Sequence, residues 1–538
     1  MKNFFNNINK KKENIVIFLL FSFASYCALT IGSSWDEDFH LNQGKVILDY
    51  LFSFGNIDTE LDVDHRKNYS AIYWSISYLI TKIFPLKYEL QISHMVNLLF
   101  SLSTIFGLSK ISKEFFNKKV AKLSFLILFF YPVFFGHMAM NPKDTILAFS
   151  HIWISYLIIR YLKHQNNTQK KQKYIFLIGI LTAIGTGIQM VFIGSLLPII
   201  IFVTLDINYL KIFSTSKFNF KKFFLDLIKC FLIFYSILIL FWVDAHDNII
   251  IFPFKYLLGT LSSDYWTGWS YNLLNGEYYY SDQIPKIYLF INFFFKSPEY
   301  LLLTYVVFSY IIFKKQKFFK QKFKEFNKKI FFILLIILFP NIVLLLLPYP
   351  IYDGMRLFLW AIPYLCIIPG LTIYYFIENF KSFNSKFFIT IFLILFSFLL
   401  FNFIQLTPYQ YTYLNLFAGK NEYKYKKFEN DYWGTSTGEL IENSSFKNKE
   451  KMNFAICGMN DDLVKKLFKQ KGYYGIKIVD PDMANYIIMT NRATELRKNN
   501  KKSKKNLTNC FIKYKGEDVF TVKRQGLVLS SIRKINNF

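Results

Sequence analysis

Runs of roughly 18–22 apolar residues with almost no charge inside them recur along this chain, and they leave it few folds to adopt. At 1.5 Å of rise per residue, a helical run of that length crosses about 30 Å of hydrocarbon. Lipid offers the backbone no hydrogen-bond partner, so such runs must close their own bonds as helices. Candidate spans fall near 14–34, 88–111, 119–137, 144–162, 174–190, 192–206, 224–243, 298–313, 330–347, 357–376 and 386–405, about eleven in all. The first follows Lys10-Lys11-Lys12, is too long for the core of a secretion signal and has no A-x-A site after it, so it reads as an uncleaved helix. The fold class expected is a polytopic α-helical membrane protein.

Loop charge orients the spans. With the N-terminus in the cytoplasm, the loops on that side are 110–119, 163–173, 211–222, 314–329 and 381–386, all Lys-rich, and 314–329 holds eight lysines. The opposite loops GHMAMNP (136–142) and PYPIYDG (348–354) hold no Lys or Arg. This is the positive-inside pattern, and it accounts for a net charge of +28 without invoking nucleic acid as a partner. The expected location is the cell inner (plasma) membrane, multi-pass, with everything from 406 onward on the periplasmic or extracellular side.

Two stretches of loop 35–87 read as interfacial rather than spanning. Asp38 to Phe54 places Phe39, Val46, Ile47, Tyr50, Leu51 and Phe54 at helical spacing, and Ser70 to Phe84 is rich in Tyr and Trp. The chain divides into a membrane domain, 1–446, and a small α/β or β-rich soluble domain, 447–538. In the latter, 453–457 and 484–490 read as strands, 461–470 as a helix, and 511–524 as a hairpin turning at Lys515-Gly516-Glu517-Asp518, with a Lys/Asn-rich linker at 498–506. Five cysteines are scattered without metal-site spacing; Cys457 and Cys510 could pair if the tail meets an oxidising compartment.

Ionisable residues at helix ends each have an ordinary reading as solvated ends or caps. Asp36 and Glu37 follow the first span, Asp144 opens the fourth behind Asn141-Pro142-Lys143, and Asp353 and Arg356 flank a span start. Their shared level on the outer face says more, because His40, His65, Arg66, His137, Lys143 and Tyr352 lie there too. Cations there would hold a phosphate while a carboxylate takes a proton from a hydroxyl. A transporter that makes no bond is the competing class, but it calls for charge at mid-membrane depth and an internal repeat, neither of which the spans carry. Trp266, Trp269, Tyr271 and Tyr278 to Tyr280, in outer loop 244–297, could stack on sugar rings or form an interfacial belt, with the belt favoured.

At these residues the chain resembles the GT-C membrane glycosyltransferases, specifically the family-39 group with the protein O-mannosyltransferases and the aminoarabinose transferase of lipid A. The resemblance runs through Trp35-Asp36-Glu37, FFGHMAMNPKDTILAF (134–149), Tyr352-Asp353-Gly354-Met355-Arg356, Pro408-Tyr409-Gln410-Tyr411 with Asn415, and Asp431-Tyr432-Trp433-Gly434, so it covers about 14–440. It implies a polyprenyl-phosphate sugar donor, inversion at the anomeric carbon, and a glycan or lipid acceptor at the non-cytoplasmic face. Asp36 is carried over as general base, Glu37 as its alternative and Asp144 as the second acidic position. Charge and placement put Lys143 and Arg356 at the donor phosphate, with His137, Tyr352 and Asp353 as further substrate contacts. Asp36, Glu37 and Asp144 could hold a divalent ion, though no spacing demands one. Gln189 stands where this group suggests a base, and the tail does not resemble a β-trefoil, which counts against a protein acceptor.

Overall fold

The structure, a computed structural model, describes residues 2–57, 69–214, 218–262, 268–347, 349–446, 452–497 and 502–535, with side chains from residue 11 onward. His65, Arg66 and Trp266 of the sequence reading lie outside the described residues. In chain order the helices are α1 (Lys2–Thr30), α2 (Glu37–Phe52), α3 (Ile72–Thr81), α4 (Glu89–Phe115), α5 (Lys118–Phe129), α6 (Pro132–His137), α7 (Pro142–His164), α8 (Thr168–Ile188), α9 (Phe192–Ser195), α10 (Leu197–Leu205) and α11 (Phe220–Leu240). They continue with α12 (Ile251–Leu261), α13 (Tyr288–Lys296), α14 (Glu299–Lys322), α15 (Phe326–Leu346), α16 (Ile362–Leu365), α17 (Ile367–Glu378), α18 (Phe383–Gln405), α19 (Thr437–Asn443) and α20 (Asp461–Gln470).

Every candidate span falls on helix, and among the described residues seven helical segments are long and apolar enough to cross a membrane. The other expected spans are interrupted or carry charge. Span 119–137 breaks between α5 and α6 at Pro132, 357–376 breaks between α16 and α17, and α14 kinks at Lys315. Outward faces are apolar: Phe224 and Leu232 on α11, and Phe387 and Phe401 on α18, are more than half exposed, as a lipid-facing surface requires. At the ends of α4, α5, α7 and α17, Lys163 reaches Glu114 at 2.6 Å and Lys119 reaches Glu378, so lysines of the Lys-rich loops also tie the bundle together. The two stretches read as interfacial form α2 and α3.

At the other end, the loop joining α6 to α7 is threaded through the bundle. Its backbone carbonyls, cut off from water, must find donors inside. Asn97 donates to Met138 O (3.1 Å) and Ala139 O (3.0 Å), Ser101 to Met138 O (2.9 Å), and Ser34 to Met140 O (3.0 Å). The Ser34 bond fixes the chain two residues before Asp36 against the turn three residues before Lys143. Gly136 lies so close to segment 410–412 that a Cβ there would meet Tyr411 N at 2.1 Å. The motifs 136–144 and 408–415 are therefore a packing unit.

The outer loop 268–297 forms a hairpin of β1 (Tyr271–Leu274) and β2 (Glu277–Tyr280). In the tail, β3 (Asn453–Cys457), β4 (Lys477–Ile478), β5 (Tyr486–Thr490), β8 (Gly516–Arg524) and β9 (Leu527–Ile535) make a sheet in the order β4-β3-β5-β9-β8, and β6 (Ala493–Glu495) pairs with β7 (Leu507–Asn509). The expected turn at 515–518 is corrected: those residues lead into β8, and the hairpin turns at Gln525-Gly526, both at positive φ (52° and 80°), the backbone that matches strand twist. Cys457 and Cys510 form a disulfide with Cα atoms 5.8 Å apart. This unit lies across the bundle ends opposite the Lys-rich loops, held by Lys466–Asp38 (2.6 Å), Arg524–Glu439 (2.6 Å) and Ser436 Oγ–Ser530 Oγ (2.6 Å).

Candidate active site

Asp36 sits where α1 has ended and α2 begins, so its side chain emerges at the membrane level rather than inside a helix face. It lines a cavity of about 140 Å³ with Trp35, Gly268, Trp269, Tyr352, Asp353, Arg356, Tyr432, Trp433 and Arg492. Among the described residues its carboxylate has no hydrogen bond or ion pair, and Trp35 N donating to Trp433 O (3.2 Å) keeps it facing the Asp431-Tyr432-Trp433-Gly434 turn.

Arg356 is the hub of the cavity wall. It is buried, its Nη1 lies 3.0 Å from Asp353 Oδ2, and its Nη2 donates to Tyr352 Oη at 3.1 Å. Its Nε lies 3.2 Å from Asp144 Oδ2, an ion pair whose angle falls short of a hydrogen bond. The guanidinium also stacks on Trp433, 4.4 Å from the ring centre. Asp144 is fully buried behind it, with Asn141 capping α7: Asn141 Oδ1 accepts from Asp144 N (3.2 Å) while Asn141 Nδ2 donates to Asp144 Oδ2 (2.8 Å). Asp353 takes a left-handed conformation, φ 58°, in the turn before Gly354, which aims its carboxylate back at Arg356.

The remaining expected residues divide. Lys143 is half-buried and donates to Tyr69 Oη at 2.8 Å; among the described residues no carboxylate is within ion-pair distance of it. Tyr352 lines the cavity. His137 does not: it is buried one side chain away, its Nε2 2.8 Å from Tyr432 Oη and its Nδ1 3.3 Å from Asn141 Nδ2. Glu37 faces away altogether. Its Oε2 accepts from Ser34 N at 2.5 Å and its Oε1 lies 2.7 Å from His94 Nε2, so it joins α2 to α4 instead of standing as the alternative base. With Glu37 bound there and Asp144 held by Arg356, the trio Asp36, Glu37 and Asp144 does not converge on one ion; among the described residues no group of three or more His, Cys, Asp or Glu is arranged to hold a metal. Of the outer-loop aromatics, Trp269 lines the cavity, whereas Tyr278 and Tyr280 bond the tail through Asn509 (3.1 Å) and Glu495 (3.2 Å).

Residues 71–245 match the family of dolichyl-phosphate-mannose-protein mannosyltransferases. The crystal structure of ArnT from Cupriavidus metallidurans in the apo state superposes on this chain with a TM-score of 0.52 at 9% identity, covering 89% of this chain and 93% of that one. The chain shares the fold of ArnT. ArnT from the same organism bound to undecaprenyl phosphate aligns with a TM-score of 0.44 at 10% identity, over 96% of this chain and 97% of that one. No curated protein matches the sequence.

The site has residues the sequence did not single out. Arg492 arrives from the tail, just after β5, and Glu429 and Lys296 are buried behind Asp353. Glu429 Oε1 accepts from Ala493 N at 2.8 Å, and burial pushes its carboxyl up from 4.5 to about 7, with Arg492 opposing. Burial likewise pulls Lys296 down from 10.5 to about 8. A carboxyl raised on folding stabilises fully below its unfolded value and loses that contribution as pH rises through the folded one. The window for Glu429 is thus about pH 4.5 to 7, while that for Lys296, lost on falling from about 10.5 to 8, lies above it. The expected outcome is a thermal-unfolding midpoint that declines between pH 5 and 7 more steeply in the wild type than in Glu429→Gln, followed by differential scanning fluorimetry in detergent.

Proposed function

We propose that this protein is a glycosyltransferase that moves a sugar from a polyprenyl-phosphate donor to a hydroxyl of a glycan or lipid on the non-cytoplasmic face of the cell membrane, with inversion and with Asp36 as general base. The observation that carries the reading is the Asp36 carboxylate, without a hydrogen bond or ion pair among the described residues, in a small aromatic- and arginine-walled cavity beside a large apolar one. The second cavity, about 480 Å³, is lined by Phe293, Tyr305, Phe308, Leu334, Met355 and Phe358 among others. Met355 and Arg356 are neighbours in sequence, so an isoprenoid tail in the apolar cavity would bring its phosphate to the polar one.

In this reading Lys143 carries the donor phosphate, because no carboxylate among the described residues lies within ion-pair distance of it. Arg356, shared between Asp144 and Asp353, presents a fixed positive wall with little freedom to turn toward a ligand. The bond between the anomeric carbon and phosphate oxygen breaks, the acceptor oxygen bonds to the opposite face, and its proton passes to Asp36. Polyprenyl phosphate departs as an anion that needs positive charge rather than a proton. The extracytoplasmic side is supported by the Lys-rich loops at the other end and by the Cys457–Cys510 disulfide, which belongs to an oxidising compartment.

The test is purified protein supplied with radiolabelled polyprenyl-phosphate sugars and envelope glycolipid. Polyprenyl phosphate and a labelled acceptor should form in equal amounts; movement of the donor across vesicles with no new linkage would instead mark a transporter. A protein acceptor is a second reading, favoured by the family matched over 71–245. Glycoproteomics of envelope proteins from cells with and without the gene decides it, since only that reading calls for hexose-bearing Ser or Thr that vanish with the gene.

A further inference from the structure

Asn491, Arg492 and Ala493, three consecutive residues at the end of β5, all bind segments that wall the cavity. Asn491 donates to Phe428 O (2.7 Å) and Tyr425 O (3.0 Å) and accepts from Asn430 N (2.9 Å). Ala493 accepts from Trp269 Nε1 (3.1 Å) and donates to Glu429. Between them Arg492, 4% exposed, donates from Nη2 to Asp353 Oδ1 at 2.9 Å and from Nη1 to Tyr432 O, and stacks 4.4 Å from the Trp269 ring centre. Its Nε is buried with no hydrogen-bond partner among the described residues.

Asp353 is therefore gripped by two arginines, one oxygen each: Arg356 from the membrane domain and Arg492 from the tail. Two guanidiniums on one carboxylate leave it no freedom to rotate, and Arg356 is in turn held at the angle that reaches Asp144 and Tyr352. We infer that Arg492 is a positioning residue: the C-terminal unit completes the catalytic site by locking Asp353, and through it Arg356, in the wall that faces the donor phosphate. The inference rests on the polyprenyl-phosphate reading. It gives the tail a task in the reaction beyond its disulfide and sheet, and it makes the folded membrane domain insufficient without the tail docked.

The experiment measures binding of decaprenyl phosphate, and transfer, for full-length wild type, Arg492→Gln, Arg492→Ala, Asp353→Asn and the Arg492→Gln/Asp353→Asn double variant, each checked for a monodisperse peak and an intact Cys457–Cys510 bridge. Losing a charged hydrogen bond in a buried site corresponds to about a tenfold to hundredfold loss. Arg492→Gln is expected to weaken decaprenyl phosphate binding by about that factor, the double variant to lose no more than Asp353→Asn alone, and guanidinium ion to restore part of the loss in Arg492→Ala. Wild-type binding with Arg492→Gln unchanged, or losses that multiply in the double variant, would overturn the inference alone. A wild type that binds no decaprenyl phosphate would overturn the functional reading and this inference with it.

Discussion

Asp36→Asn is expected to reduce sugar transfer by about a hundredfold to ten-thousandfold, the range a positioned general base contributes, while leaving the protein folded. The reason for the second half is local. The Asp36 carboxylate is half-buried and makes no hydrogen bond or ion pair among the described residues, so an isosteric amide disturbs no partner. The measurement is transfer from polyprenyl-phosphate sugar in membranes holding equal amounts of each variant, with the unfolding midpoint recorded alongside. Asp36→Glu, with its carboxylate moved by one methylene, should retain a small part of the rate. Near-normal turnover in Asp36→Asn would leave the cavity without its base, since Glu37 is committed to Ser34 and His94 and Asp353 to two arginines.

Arg356→Met is expected to be lost to function and to stability together. Removing it leaves Asp144, 1% exposed, without a counterion and takes one of two partners from Asp353. Breaking a buried ion pair by deleting one side costs about 3–5 kcal/mol, chiefly from the charge left behind. The two effects separate in the combined variant Arg356→Met/Asp144→Asn, where the stranded charge is also removed. Its unfolding midpoint should recover most of the way toward wild type while transfer stays absent. Recovery of transfer with stability would show that Arg356 serves the fold alone. Arg356→Lys keeps the charge but cannot reach Asp144, Asp353 and Tyr352 with one rigid fork, and should fall between the two.

Much of this architecture is legible along the chain because it depends on local pattern. Span length, the Lys-rich loops, the amphipathic stretches at α2 and α3, and helix 461–470 each follow from residues within a turn or two of one another. Asp36 and Asp144 could be placed at one membrane level for the same reason: each marks the end of a span. Their neighbours Glu37 and Lys143 show where that reasoning stops. Adjacent residues at a helix start point in different directions, and whether Glu37 faces the cavity or His94 depends on α4, more than fifty residues away.

What only the tertiary structure decided is the convergence. Arg492 follows a strand legible in the sequence, but nothing in its neighbours announces that it meets Asp353, which precedes it by 139 positions. The hairpin at 525–526, the apolar cavity beside Met355 and the buried Glu429 have the same character: each exists because separate segments close on one another. By itself the chain determined where its long apolar helices run, which ends carry charge and which carboxylates gather at the end opposite the Lys-rich loops, since hydrophobicity and charge act residue by residue. Which of those carboxylates are matched by arginines is a property of packing between segments, where a buried charge must find its partner wherever the fold brings one.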